Sequence, residues 1–180
     1  MHKMTLPKRK PTRWSEIDYR ADGYYFLTIC TKNRKHVLSA IVGEGLAPPE
    51  VQLTPYGEIA QQQILSIHQR FPSATVTEYV IMPNHIHLIL ALQNTGGASP
   101  FPTVSDIICA FKSLTSRLCN QQNHIGTLFQ RSFHDHAIRN GRELKEIANY
   151  MAQNPQNWQE DCLFGEGNHF PKLAPNALPL

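Results

Sequence analysis

Residues 78 to 90, EYVIMPNHIHLIL, decide the fold. Apolar and β-branched residues flank Pro83-Asn84, so residues 74 to 82 and 85 to 92 read as two strands joined by a tight turn or bulge. Side chains alternate along a strand. His85 and His87 therefore share one face with Ile89 and Ala91, while Ile86 and Leu88 point to the other. Two imidazoles on one sheet face are half of a metal site, although a His-x-His pair alone is far more often a pair of core or surface histidines.

Working outward, residues 24 to 31 (YYFLTICT) form a compact aromatic and β-branched run that predicts the first core strand. Residues 43 to 53, with Gly43, Gly45, Pro48 and Pro49, predict a loop. Thr54-Pro55 then sets an N-cap before a proline suited to a first helical turn. Ala60, Ile64, Ile67 and Phe71 make one apolar stripe on the helix that follows, and Pro72 closes it. Beyond a polar loop at 93 to 102, Ile107, Phe111, Leu114 and Leu118 mark a second helix, with Lys112, Ser116 and Arg117 off its stripe. Residues 129 to 138 can form a last strand. Asn140, with Glu143 three positions later, resembles a capping box ahead of a third helix.

Strand, helix, strand, strand, helix, strand is the βαββαβ plan of an α+β, ferredoxin-like or RRM-like antiparallel sheet, here with an additional C-terminal helix. Two helices should cover one face, leaving the other for the last helix and a substrate. On that helix Leu144, Ile147, Ala148 and Met151 form the buried stripe. Tyr150 and Asn154, four apart, lie on its shoulder toward the rim of a cleft. Pro155 disfavours helical geometry at Asn154 and ends the helix. Such a shoulder could hold a nucleophile and a third ligand, or only a packing tyrosine and a C-cap. His134 and His136, around Asp135, repeat the His-x-His geometry and read as structural or substrate-contacting.

At 180 residues and 41% hydrophobic content the chain suits one globular domain, expected over residues 21 to 160, between a basic arm (1 to 20) and an irregular tail (161 to 180). Residues 1 to 35 carry nine of the 17 lysines and arginines against three of the 14 acids. The arm, with Lys8, Arg9, Lys10 and Arg13, suits a polyanion through phosphate contacts, or is a solvated tail. Cys30, Cys109, Cys119 and Cys162 show no metal-ribbon or redox spacing and are expected to be reduced. No apolar leader is evident, and the longest apolar run is broken by Pro83, Asn84 and His85. Cytoplasmic, nucleoid-associated residence without a membrane span is the expectation.

Taken jointly, VIMPNHIHLIL, IICAFKSLTSRL, FQRSFHDHAIRN and NYMAQNPQNW resemble the single-tyrosine HUH transposases, and among them the REP-associated tyrosine transposases. The resemblance covers most of residues 20 to 160. It implies that His85, His87 and Asn154 hold Mg2+ or Mn2+, and that Tyr150 is the nucleophile, leaving a 5′-phosphotyrosine and a free 3′-hydroxyl. It further implies metal-dependent nicking and strand transfer on single-stranded or hairpin DNA, with no obligate protein partner inferred. Lys112, Ser113, Arg117, Arg131, Arg139 and the N-terminal arm are the candidate DNA contacts, each also readable as part of a solvated face. The alternatives are a hairpin nucleic-acid-binding regulator without turnover and a phosphodiesterase that uses water.

Overall fold

The structure is a computed structural model that describes residues 22–43, 49–93 and 102–165. Its main sheet has four antiparallel strands: β1 (Gly23–Cys30), β4 (Ala74–Ile81), β5 (His85–Leu92) and β6 (His134–Ile138), in the order β4-β5-β1-β6. The expected α+β plan holds. A second, two-stranded sheet, β2 (Ser39–Val42) and β3 (Glu50–Leu53), follows β1. It corrects the expected loop at 43 to 53: β3 occupies Glu50–Leu53 and pairs antiparallel with β2.

The first helix, α1 (Pro55–Leu65), starts where the Thr-Pro pair predicts. Thr54 Oγ1 accepts from Gly57 N at 3.2 Å, satisfying one of the donors that a helix start leaves without an intrahelical partner. The helix breaks at Ser66 and resumes as α2 (Ile67–Arg70). In α3 (Val104–Gln122) the capping box is Thr103 with Asp106, and the buried stripe is Val104, Ile107, Ile108, Phe111, Thr115 and Cys119. Leu114 and Leu118, expected on that stripe, are only half-buried. The last helix, α4 (Gly141–Gln153), is capped by Asn140, whose Oδ1 accepts from Arg142 N and Glu143 N. Glu143 reaches one residue further back than a capping box requires, accepting from Arg139 N at 2.6 Å and meeting His136 Nε2 at 2.7 Å.

Each face of the sheet has its own core. Leu27, Ile29, Ile86, Leu88 and Leu90 pack with the α1, α2 and α3 side chains on one face. On the other, Ile89, Phe26, Val80 and Ile138 pack with Leu144, Ile147, Ala148, Tyr150 and Met151 of α4. Strand β5 lies inside the sheet with both faces covered, and all eight of its residues are buried, in keeping with the apolar run at 88–92 that follows the histidines. The histidines and α4 therefore meet on the face that α1 and α3 leave open. Among the described residues no helix is long and apolar enough to cross a membrane, and all four cysteines are free.

Candidate active site

Pairing across β1 and β5 sets His85 opposite Cys30 and His87 opposite Thr28. Both imidazoles are buried, 0% and 3% exposed, with ring centroids 4.5 Å apart. The end of α4 lies over them. The Tyr150 ring is 5.6 Å from His87 and meets Phe26 edge-on at 6.3 Å. Asn154 is 2% exposed, so the expected place on a cleft rim is corrected to a buried one. Its backbone stays helical at φ −56°, ψ −41° in spite of Pro155, correcting the expected departure from helical geometry, although α4 does end at Gln153.

Hydrogen bonds orient each group. Asn84 Nδ2 donates to Leu163 O at 2.7 Å, which turns its Oδ1 toward His85 Nδ1 at 2.9 Å. An amide oxygen only accepts, so Nδ1 carries the proton and Nε2 carries the lone pair. His87 Nδ1 lies 2.9 Å from the Thr28 hydroxyl. Asn154 Nδ2 donates to Asp161 Oδ2 at 2.7 Å. What remains is informative: His85 Nε2, His87 Nε2 and Asn154 Oδ1 are buried and have no hydrogen-bond partner. Buried polar atoms are ordinarily satisfied, and three orphans together are what a bound cation would explain. Two imidazole nitrogens and an amide oxygen are a donor set that fits a divalent metal with sites left for phosphate.

Electrostatics agree with that reading. Burial pushes His85 down to about 3, opposed by the adjacent Asn154 amide, and holds His87 well below its ordinary value, helped by His85. Both rings are neutral, as metal ligands must be. Burial, with Asp161 and Cys162 adding to it, keeps the proton on the Tyr150 phenol far above its usual range, while the Asn154 side chain works the other way.

The structure thus brings His85, His87, Tyr150 and Asn154 together. The candidate DNA contacts are dispersed. Lys8, Arg9, Lys10 and Arg13 lie outside the described residues. Ser113 and Arg117 are exposed on α3, which packs against the sheet face opposite the histidines. Lys112 corrects its assignment as an outward cation. It is half-buried and its ammonium donates to the carbonyls of Gln130, Arg131 (3.0 Å) and Ser132 (3.3 Å), tying down the loop before β6. Arg131 and Arg139 are exposed on either side of β6. His134 pairs with Thr28 across β1, so it shares the His87 row of the sheet, and His136 is bound to Glu143.

Four residues of the site escape the sequence reading. Asn84 reads as a turn residue, Thr28 as one residue of a strand, and Trp158, its ring 5.8 Å from His85, only as the last letter of NYMAQNPQNW. Asp161 lies in the segment assigned to the tail, yet a carboxylate oxygen and one nitrogen each of His85 and His87 all lie within 4.8 Å of one another.

Comparison with known proteins agrees with this architecture. The family model described as "Transposase IS200 like" matches residues 20–154. The chain belongs to that transposase family, and its function is of the transposase type. An uncharacterized protein of Haemophilus influenzae is 28% identical over 172 residues, 87% of this chain and 93% of that protein. Among solved structures, a REP-associated tyrosine transposase bound to a REP hairpin shares the fold, with a TM-score of 0.59 at 19% identity. The match covers 81% of this chain and 74% of that one.

Proposed function

We propose that this chain nicks single-stranded DNA next to hairpins and transfers the strand through a 5′-phosphotyrosine, with Tyr150 as nucleophile and His85, His87 and Asn154 as metal ligands. The observation that carries the reading is the trio of orphaned buried atoms, His85 Nε2, His87 Nε2 and Asn154 Oδ1, beside a tyrosine ring 5.6 Å from His87. Held there, Mg2+ or Mn2+ would supply Lewis-acid polarisation of the scissile phosphate.

The side chains do the rest. Tyr150 Oη bonds to phosphorus as the bond from phosphorus to the 3′ oxygen breaks, so the phosphate passes to the tyrosine and the 3′ oxygen leaves as a hydroxyl after taking up a proton. The phenol keeps its own proton until attack, because burial opposes the phenolate, and gives it up as the new bond to phosphorus forms, which balances the proton that the 3′ oxygen takes up. Packing against Phe26 and His87 limits the ring to few orientations, which favours in-line approach. The energy of the broken phosphodiester is kept in the tyrosine ester for rejoining. Single-stranded or hairpin DNA as substrate rests on the family and on the hairpin held by the REP-associated relative. Exposed Arg131 and Arg139 are the described cations that we assign to its phosphates, with residence among the nucleoid DNA of the cytoplasm.

The test is incubation with hairpin-flanked single strands and Mn2+, followed by a denaturing gel. A protein-linked product that carries the 5′ phosphate is expected, and His85→Ala or His87→Ala should abolish it while the circular dichroism spectrum is retained. Hairpin binding with no cleavage under any divalent ion would leave a binding module in place of an enzyme.

A further inference from the structure

We infer that Asp161 is a fourth and anionic ligand of the metal site, joining His85, His87 and Asn154 and selecting which end of the Asn154 amide faces the ion. The inference rests on the metal-site reading above and extends it to a residue beyond the helix that carries the tyrosine.

Distance is the first ground. A carboxylate oxygen of Asp161 and one nitrogen each of His85 and His87 lie within 4.8 Å of one another. Ligands that share one cation at bonds of about 2.0–2.2 Å are separated by no more than roughly 4.4 Å, so only small closure is needed.

Asn154 gives the second ground. Its amide offers an oxygen that can ligate and a nitrogen that cannot, and the two ends have the same shape. Donation from Nδ2 to Asp161 Oδ2 at 2.7 Å commits the nitrogen and leaves Oδ1 as the orphan. Without the carboxylate the amide has no such reason to choose.

Charge is the third. Two neutral imidazoles and an amide bring no compensation for a divalent ion in a buried site, and burying an unpaired charge is costly. Among the described residues Asp161 is the carboxylate grouped with these histidines. It is also held ready. Asp161 Oδ1 accepts from Leu163 N at 2.6 Å, Asn84 Nδ2 donates to Leu163 O, and Arg34 Nη1 donates to Cys162 O at 3.2 Å. Leu163 and Trp158 are buried and anchor both sides of it. Each carboxylate oxygen keeps lone-pair capacity beyond the one hydrogen bond shown for it.

Mn2+ binding to the metal-free full chain, followed by electron paramagnetic resonance of the free ion, separates a ligand from a mere staple of the C-terminal segment. Asp161→Asn should weaken Mn2+ binding by about 10- to 100-fold. The exchanged pair Asn154→Asp with Asp161→Asn, which keeps one carboxylate and one amide in hydrogen-bond reach, should recover most of that loss. Recovery by the exchange also guards against a single variant that folds badly, and thermal unfolding without metal reports on folding in each case. If Asp161→Asn binds Mn2+ as the wild type does while His85→Ala has lost it, Asp161 is only a staple and the inference fails with the metal site standing. Unchanged binding in His85→Ala would overturn the metal site itself.

Discussion

His85 Nδ1 donates to Oδ1 of its neighbour Asn84 at 2.9 Å, and the other end of that amide donates to Leu163 O at 2.7 Å. One buried side chain thus sets the tautomer of a histidine and anchors the segment that carries Asp161.

Asn84→Ala leaves two partners unsatisfied, His85 Nδ1 and Leu163 O. We expect a stability loss of about 1–3 kcal/mol and Mn2+ affinity lower by about 10- to 100-fold. Chemical denaturation and metal titration measure the two. Unchanged metal affinity would show that the turn asparagine is there for the turn alone.

Acid should unfold the metal-free protein early. Burial holds the folded His85 near 3, against 6.5 in an open chain, so the unfolded state takes up a proton that the folded state refuses. The stability present above about pH 6.5 is lost as pH falls toward 3, at up to about 1.4 kcal/mol per pH unit for this histidine. His87 is shifted in the same direction. Urea midpoints between about pH 7 and pH 5 should fall steeply in wild type and less steeply in His85→Gln. Equal slopes would contradict neutral buried histidines.

Gly57→Ala should destabilise, although alanine is the better helix former by about 1 kcal/mol. A Cβ at Gly57 would sit 2.0 Å from Leu38 O, a backbone atom beside β2 that also accepts from Thr54 N at 3.0 Å. Helix α1 would have to move off the hairpin, at a cost of about 1–3 kcal/mol. A rise in the urea midpoint would refute the close approach.

Much of this was legible in the chain because it rests on short-range patterns. Alternation around Pro83-Asn84 placed both histidines on one face, and the 144, 147, 148, 151 stripe placed Tyr150 over them. The hairpin β2-β3 was hidden because four-residue strands beside Gly43 and Pro49 leave too little alternation to outweigh the loop signals. Lys112 misled for another reason. An amphipathic stripe shows which side of a helix is polar, not whether a long side chain reaches a set of loop carbonyls. Asp161 lies past Pro155, where helical periodicity ends, and only the chain's return across the site gives it a place.

The central claim is a tyrosine that takes the phosphate, and Tyr150→Phe tests it most directly. The substitution keeps the ring packed on Phe26 and His87 and removes only the attacking oxygen. With labelled hairpin-flanked single strands and Mn2+, the variant should fold, bind the ion and bind DNA, yet yield no covalent adduct and no fragment with a free 3′-hydroxyl. Cleavage by Tyr150→Phe at a rate comparable with wild type would contradict the account and assign the attack to water or to another residue.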